Sequence, residues 1–182
     1  MENPNDFPPF LPLVLTDDQR RSQEFNPVTR FQYINVLTSI SVPVGNVGGG
    51  TDDLMSYTIP AGTLDKDGKV IGIKANGTTA NNANGKTLSF FFGSQLQSFA
   101  LTISQAGYWD IDGLIIRTSS GQQSVIFTLM ETTQSHVLQT PKAALFFNAS
   151  SQDDVAPIVL KMQALAVDTS DILQREFLIT TF

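Results

Sequence analysis

Trp109-Asp110-Ile111-Asp112-Gly113-Leu114-Ile115-Ile116-Arg117 decides the fold. Successive side chains of a strand point to opposite faces, so Trp109, Ile111, Gly113 and Ile115 share one face. Asp110, Asp112, Leu114 and Ile116 share the other. The same alternation recurs outward in both directions. Ser124 to Met130 aligns Val125, Phe127 and Leu129, and Ser98 to Ile103 aligns Phe99, Leu101 and Ile103. Lys86 to Phe92 aligns Leu88, Phe90 and Phe92, and Lys69 to Ala75 aligns Ile71, Ile73 and Ala75. Pro157 to Val167 aligns Ile158, Leu160, Met162, Ala164 and Ala166, and Gln174 to Phe182 closes the chain with Phe177 and Ile179. Earlier, Ile34, Val36, Ile40 and Val42 form a β-branched run ended by Pro43.

Turn residues separate these segments at Gly45–Gly50, Asp65–Gly68, Asn84-Gly85, Ser119–Gly121 and Ser150–Asp154. Short alternating segments between turns predict an all-β chain, a single antiparallel β-sandwich of jelly-roll type over 31–182. Its expected core includes Ile71, Ile73, Leu88, Phe90, Phe99, Leu101, Ile111, Phe127, Leu160 and Met162.

Residues 1–30 read differently. Pro4, Pro8, Pro9, Pro12 and Pro27 crowd this stretch, removing backbone donors and biasing it toward extended geometry. Phe7, Phe10, Leu11, Leu13, Val14 and Leu15 are too apolar for a solvated tail. An extended Pro-rich N-terminal arm is therefore expected, with Phe7, Phe10, Leu11, Leu13 and Leu15 as partner-binding anchors. The competing outcome is that they fold back and complete the core of their own sandwich. Thr16-Asp17-Asp18-Gln19 has a capping-box pattern, which predicts a short helix over roughly Asp17 to Phe25.

Composition narrows the function. The 182 residues contain no Cys, which removes disulfides, thiolate metal sites and a cysteine nucleophile. One His leaves a catalytic triad or a His-based metal site hanging on His136. Eleven Lys and Arg against 17 Asp and Glu give a net charge of −6, against general nucleic-acid binding. No segment reaches the ~20 apolar residues of a membrane helix. The start, Met1-Glu2-Asn3-Pro4, lacks the basic region of a secretory signal, so the expectation is a soluble protein made in a cytoplasm.

The remaining constellations favour structure over chemistry. Asp65-Lys66-Asp67-Gly68 has its glycine at the wrong place for a calcium loop and suits a tight turn. Asp110 and Asp112 form a carboxylate pair on one face, expected to meet solvent or an interface rather than to perform acid–base work. Gly48-Gly49-Gly50 lacks the Lys-Ser/Thr of a phosphate loop. Asn76-Gly77-Thr78 and Asn148-Ala149-Ser150 match the glycosylation acceptor. Tyr108 and Trp109 are candidates for stacking on a sugar, against the commoner role of aromatics as core filler. No catalytic, cofactor or metal residue is assigned, and the chain is not expected to be an enzyme.

The stretch Ile59-Pro60-Ala61-Gly62-Thr63-Leu64, followed by Asp67 to Gly93 with its Gly77-Thr78-Thr79-Ala80-Asn81-Asn82-Ala83-Asn84-Gly85-Lys86-Thr87 segment, resembles a family of small β-rich virion proteins of tailed bacteriophages. The likeness continues in Tyr108 to Thr118 and in the polar loop Asp168-Thr169-Ser170-Asp171-Ile172. It covers roughly Tyr57 to the C-terminus. Gly72 and Lys74 depart from the family's Arg-rich strand, and the Pro-rich start lies outside the shared region. The resemblance implies a jelly-roll-like sandwich on a virus particle, often trimeric. The expected function is a capsid decoration (cement) protein on the capsid exterior, with the major capsid protein and two further copies of itself as partners. The alternative is a tail or head fibre component, an adhesin contacting the host surface. An enzyme on a β-sandwich has almost no support in the sequence.

Overall fold

The computed structural model describes residues 34–182 except 102–105, 136, 140–141, 151 and 153–154; for 143–150 it describes the backbone alone. The chain divides into two units, Met1–Tyr33 and Ile34–Phe182. The Pro-rich arm, its helix over Asp17 to Phe25 and the anchors Phe7, Phe10, Leu11, Leu13 and Leu15 all lie outside the described residues, as does His136.

The second unit is all-β, with no helix among the described residues. Its strands are β1 (Asn35–Ile40), β2 (Val44–Gly45), β3 (Gly50–Ile59), β4 (Val70–Thr79), β5 (Lys86–Phe92), β6 (Gln95–Leu101), β7 (Gly107–Ser119), β8 (Gln122–Thr133), β9 (Lys142–Ser150), β10 (Ile158–Ala166) and β11 (Ile172–Thr181). The larger sheet runs β1-β11-β4-β7-β8-β9, with β2 also pairing β11. The smaller sheet runs β3-β10-β5-β6. Every pairing is antiparallel.

The alternation read from the sequence is the alternation of burial. Leu88, Phe90 and Phe92 of β5 are buried, while Thr87, Ser89 and Phe91 between them are half-buried. Trp109, Ile111, Gly113 and Ile115 of β7 face inward. The inner faces of both sheets share one core, and the Phe90 and Phe127 rings bridge them with centroids 4.3 Å apart. Each such fully buried side chain contributes about 1.5–3 kcal/mol of transfer free energy. Of the expected core, Ile71, Ile73, Leu88, Phe90, Phe99, Ile111, Phe127, Leu160 and Met162 are buried. Leu101 is only partly buried, packed at the margin where β6 ends.

Two glycines make room for the largest core rings. Gly77 sits opposite Trp109, and Gly113 sits opposite Phe127. A Cβ on Gly77 would lie 2.0 Å from the Leu173 carbonyl oxygen and 2.5 Å from the indole. A Cβ on Gly113 would lie 2.1 Å from the Phe127 ring. Glycine is thus required here for close approach rather than for a turn.

Six of the ten connections between the described strands cross from one sheet to the other: β2–β3, β3–β4, β4–β5, β6–β7, β9–β10 and β10–β11. The β5–β6 and β7–β8–β9 runs stay within one sheet as meanders. Tight turns at Gly93-Ser94 and Ser120-Gly121, with φ of 57° at Gly93 and 66° at Gly121, return β6 beside β5 and β8 beside β7.

Candidate functional sites

At one end of the sandwich the β2–β3, β4–β5 and β10–β11 loops meet in a buried polar hub. Asp171 is its centre and is fully buried. Its Oδ1 accepts from Asn82 Nδ2 at 2.5 Å. Its Oδ2 accepts from Asn84 Nδ2 at 2.9 Å, from the Asp168 N–H at 2.9 Å and from the Val167 N–H at 3.3 Å. Lys86 Nζ donates to Asn82 Oδ1 at 2.6 Å and to the Asn82 and Asn84 carbonyls at 3.2 and 3.3 Å. From the third loop, Asn46 Oδ1 accepts from the Ile172 N–H at 2.9 Å, and Asn46 Nδ2 donates to the Asp168 carbonyl at 2.6 Å. Ser170 takes a left-handed φ of 60°, and its N–H donates to the Asn46 carbonyl at 2.9 Å.

Burial pushes the Asp171 carboxyl upward, but the hydrogen bonds from Asn82, the Asp168 N–H, Asn84 and the Val167 N–H outweigh it, and its pKa falls to about 2. Among the described residues the carboxylate is held charged without a direct ion pair, by donors from two loops. This satisfied network is a clamp joining the loops.

Toward the β8–β9 edge, Glu131 is 1% exposed and accepts from Lys142 Nζ at 2.6 Å. Lys142 also donates to the Ala100 carbonyl, so this buried pair ties β8 and β9 to β6 across the two sheets.

The outer face of the larger sheet carries the sequence's other candidates. Asp110 and Asp112 project there with Leu114 and Ile116, as the alternation predicted. Asp112 pairs with Lys74 at 3.4 Å, with both side chains more than half exposed. Burial, then the neighbouring Asp112 carboxylate, raises the pKa of Asp110 above the usual carboxylate value.

The two aromatics separate. Trp109 is 1% exposed and points into the core, which removes it as a stacking platform. Tyr108 is 48% exposed on the outer face. Tyr108, Asp110, Asn76, Met130, Thr132 and Arg175 line an open dent of about 190 Å3, completed by Gly77 and Trp109. Arg175 reaches it because of a bulge. Gln174 pairs with Gly77 and Glu176 with Asn76, leaving Arg175 as the extra residue on β11. Gln174 and Phe177 are buried, so Arg175 and Glu176 together form the outward step between them. Glu176 Oε2 in turn accepts from Asn76 Nδ2 at 2.8 Å.

The outer face of the smaller sheet presents Lys161, which lies 4.9 Å from the centroid of the Phe91 ring and 3.0 Å from Asp53 Oδ1.

The remaining sequence candidates fall into structure. Asp65–Gly68 is a turn with Gly68 at φ 82°, and Asp67 approaches Arg117 at 3.7 Å. Asn76-Gly77-Thr78 lies inside β4, and Asn148-Ala149-Ser150 inside β9. The polar hub was missed at the level of geometry. Its signal was the Asn82, Asn84, Lys86 spacing and the Asp168–Asp171 loop, both within the stretches that carry the family resemblance.

No protein-family model and no curated protein matches the chain. Among solved structures, it is similar to the CBM2 module of the evolved Dit of Lactobacillus casei BL23 phage J-1, at 13% identity over 69% of this chain and 67% of that one, with a TM-score of 0.32. A protein of unknown function from Shewanella oneidensis MR-1 is 8% identical over 82% of this chain and 76% of that one, also at 0.32. The VP2 subviral particle of infectious bursal disease virus is 12% identical over 82% of this chain and 41% of that one, at 0.22. Likeness at this level carries no functional argument.

Proposed function

We propose that this protein is a bacteriophage virion structural protein, a capsid decoration (cement) protein that binds and stabilises the assembled major-capsid shell. One observation carries the proposal. The two stretches that bear the family resemblance, Gly77–Thr87 and Asp168–Ile172, stand some ninety positions apart in the chain yet close into the single hub around Asp171. A likeness made only of generic turn and strand residues has no reason to converge in this way. The low charge of the surface, 15% of all residues, suits dense packing around a symmetry axis. In this proposal the protein acts as a homotrimer on the capsid exterior, and Phe7, Phe10, Leu11, Leu13 and Leu15 dock the arm on the major capsid protein. Binding only the assembled shell stabilises it by mass action.

Immunogold labelling of purified virions tests the location. Label over the whole head is expected. Label confined to the tail end would instead establish the alternative, a tail or head fibre component. Deleting residues 2–15 tests the anchor: capsid binding is lost while the melting temperature of the free protein stays unchanged.

A further inference from the structure

We propose that the dent at Tyr108 is a subsite for one neutral pyranose ring of a surface polysaccharide, stacked on Tyr108 with its hydroxyls held by Asp110, Asn76 and Arg175. This holds whether the protein sits on the head or the tail of a particle.

Three features converge on that ligand. The first is an aromatic face left open. Strand alternation turns Tyr108 away from the core, and its cross-strand neighbours Thr78 and Thr132 are too small to cover the ring, which stays 48% exposed. The negative face of an aromatic ring attracts the positively polarised C–H bonds on one side of a pyranose. The second is polar groups at sugar spacing. Asp110 lies two residues along the same strand, about 7 Å away, which is the distance from ring centre to outer hydroxyls with their partners. Asn76 faces Asp110 across the β4–β7 pair, adding an amide to the carboxylate. The β11 bulge adds the donor fork of Arg175. Acceptor and donor groups are thus both present for hydroxyls, which need both. The third is size and charge. An open dent of about 190 Å3 suits a single ring. Asp110, Asp112 and Glu176 around the dent outnumber Arg175 and Lys74 by one charge, a small negative excess that disfavours an acidic sugar.

The test uses the full chain, 15N-labelled, titrated with methyl glycosides of glucose, galactose, mannose and N-acetylglucosamine, and with glucuronate and sialic acid. A ligand of about a dozen heavy atoms is expected to bind in the millimolar range. Saturable shifts are expected for at least one neutral glycoside at Tyr108, Asp110 and the indole N–H of Trp109, which packs against Gly77 beneath the dent. Tyr108→Ala and Asp110→Asn, both on the outer face, should each weaken that binding tenfold or more with melting temperatures unchanged. The proposal is overturned if no neutral glycoside saturates, if the shifts map elsewhere, if the acidic sugars bind better, or if binding survives in both variants.

Discussion

Replacing Gly77 by Ala adds a single methyl group, and its effect follows from two opposing terms. Gly77 lies in a strand and its φ is not positive, so alanine is conformationally acceptable there. At such a site the substitution alone would stabilise by about 0.4–1 kcal/mol, through the unfolded chain. Against this, the new Cβ would lie 2.0 Å from the Leu173 carbonyl oxygen and 2.5 Å from the Trp109 ring. The carbonyl belongs to β11, the central partner of β4, and cannot rotate away as a side chain would. Overpacking of this kind costs about 1–3 kcal/mol, and a backbone contact puts it at or beyond the top of that range. The net expectation is a loss of about 3 kcal/mol, or a fall in melting temperature of about 6–12 °C for a domain of this size. Gly85→Ala is the control, because nothing lies within 4 Å of its Cβ and its φ is not positive; it should be neutral or slightly stabilising. Urea unfolding followed by the fluorescence of Trp109, the single tryptophan, measures both variants. If Gly77→Ala unfolds within about 0.5 kcal/mol of the parent, the close-approach argument is wrong.

Three further outcomes follow from the core and the polar clusters. Phe90→Ala removes a ring packed against Phe127 and should cost about 3–5 kcal/mol by denaturant unfolding. Asp171→Asn should lose about 2–3 kcal/mol at neutral pH, since charge-assisted hydrogen bonds are replaced by poorer ones. Because the folded carboxyl titrates at about 2, below its ordinary 3.8, its contribution is complete above about pH 4 and fades as the pH falls toward 2. The stability gap between parent and Asp171→Asn should therefore close over that interval, and a gap constant down to pH 2 would falsify the assignment. Lys142→Met removes the cation paired with the buried Glu131 carboxylate and should cost about 3–5 kcal/mol, most of it restored by adding Glu131→Gln; a neutral single variant would show that the ion pair is unimportant.

The strands legible in the sequence are those whose alternation is unbroken. β5, β7 and, from Val125 onward, β8 announce themselves because every second residue is buried. β3 was not read as a strand, and its bulge explains why. Two residues of β3, Leu54 and Met55, stand against the single Met162 of β10, so two successive side chains are buried and the period breaks. Its polar start, Gly50-Thr51-Asp52-Asp53, further disguised it. β9 was also missed, its Ala143-Ala144 start offering small side chains in place of an alternating pattern. Which strands share a sheet is not legible in periodicity, because it rests on turn geometry and long-range pairing that an alternating pattern does not carry. For the candidate sites, period two correctly placed Asp110 and Asp112 on one side and Trp109 on the other. It could not foresee the Arg175 bulge, nor that Asn82 and Asn84 would find Asp171 across 89 and 87 positions of chain.

The hub occupies one end of the sandwich, where β4 and β10 finish and β5 and β11 begin. The other end is built differently. There the Ser120-Gly121 hairpin and the positions Gly62 and Gly68 are exposed or half-buried, and a Cβ at any of these glycines would meet nothing within 4 Å. Exposed loop tips accept inserted sequence readily. The domain therefore has a closed pole and an open pole, and foreign peptides spliced at Gly121 would project from the open one without disturbing the Asp171 clamp. As a carrier for epitopes or affinity tags, this chain should be loaded at Gly121 and left untouched from Ala80 to Lys86.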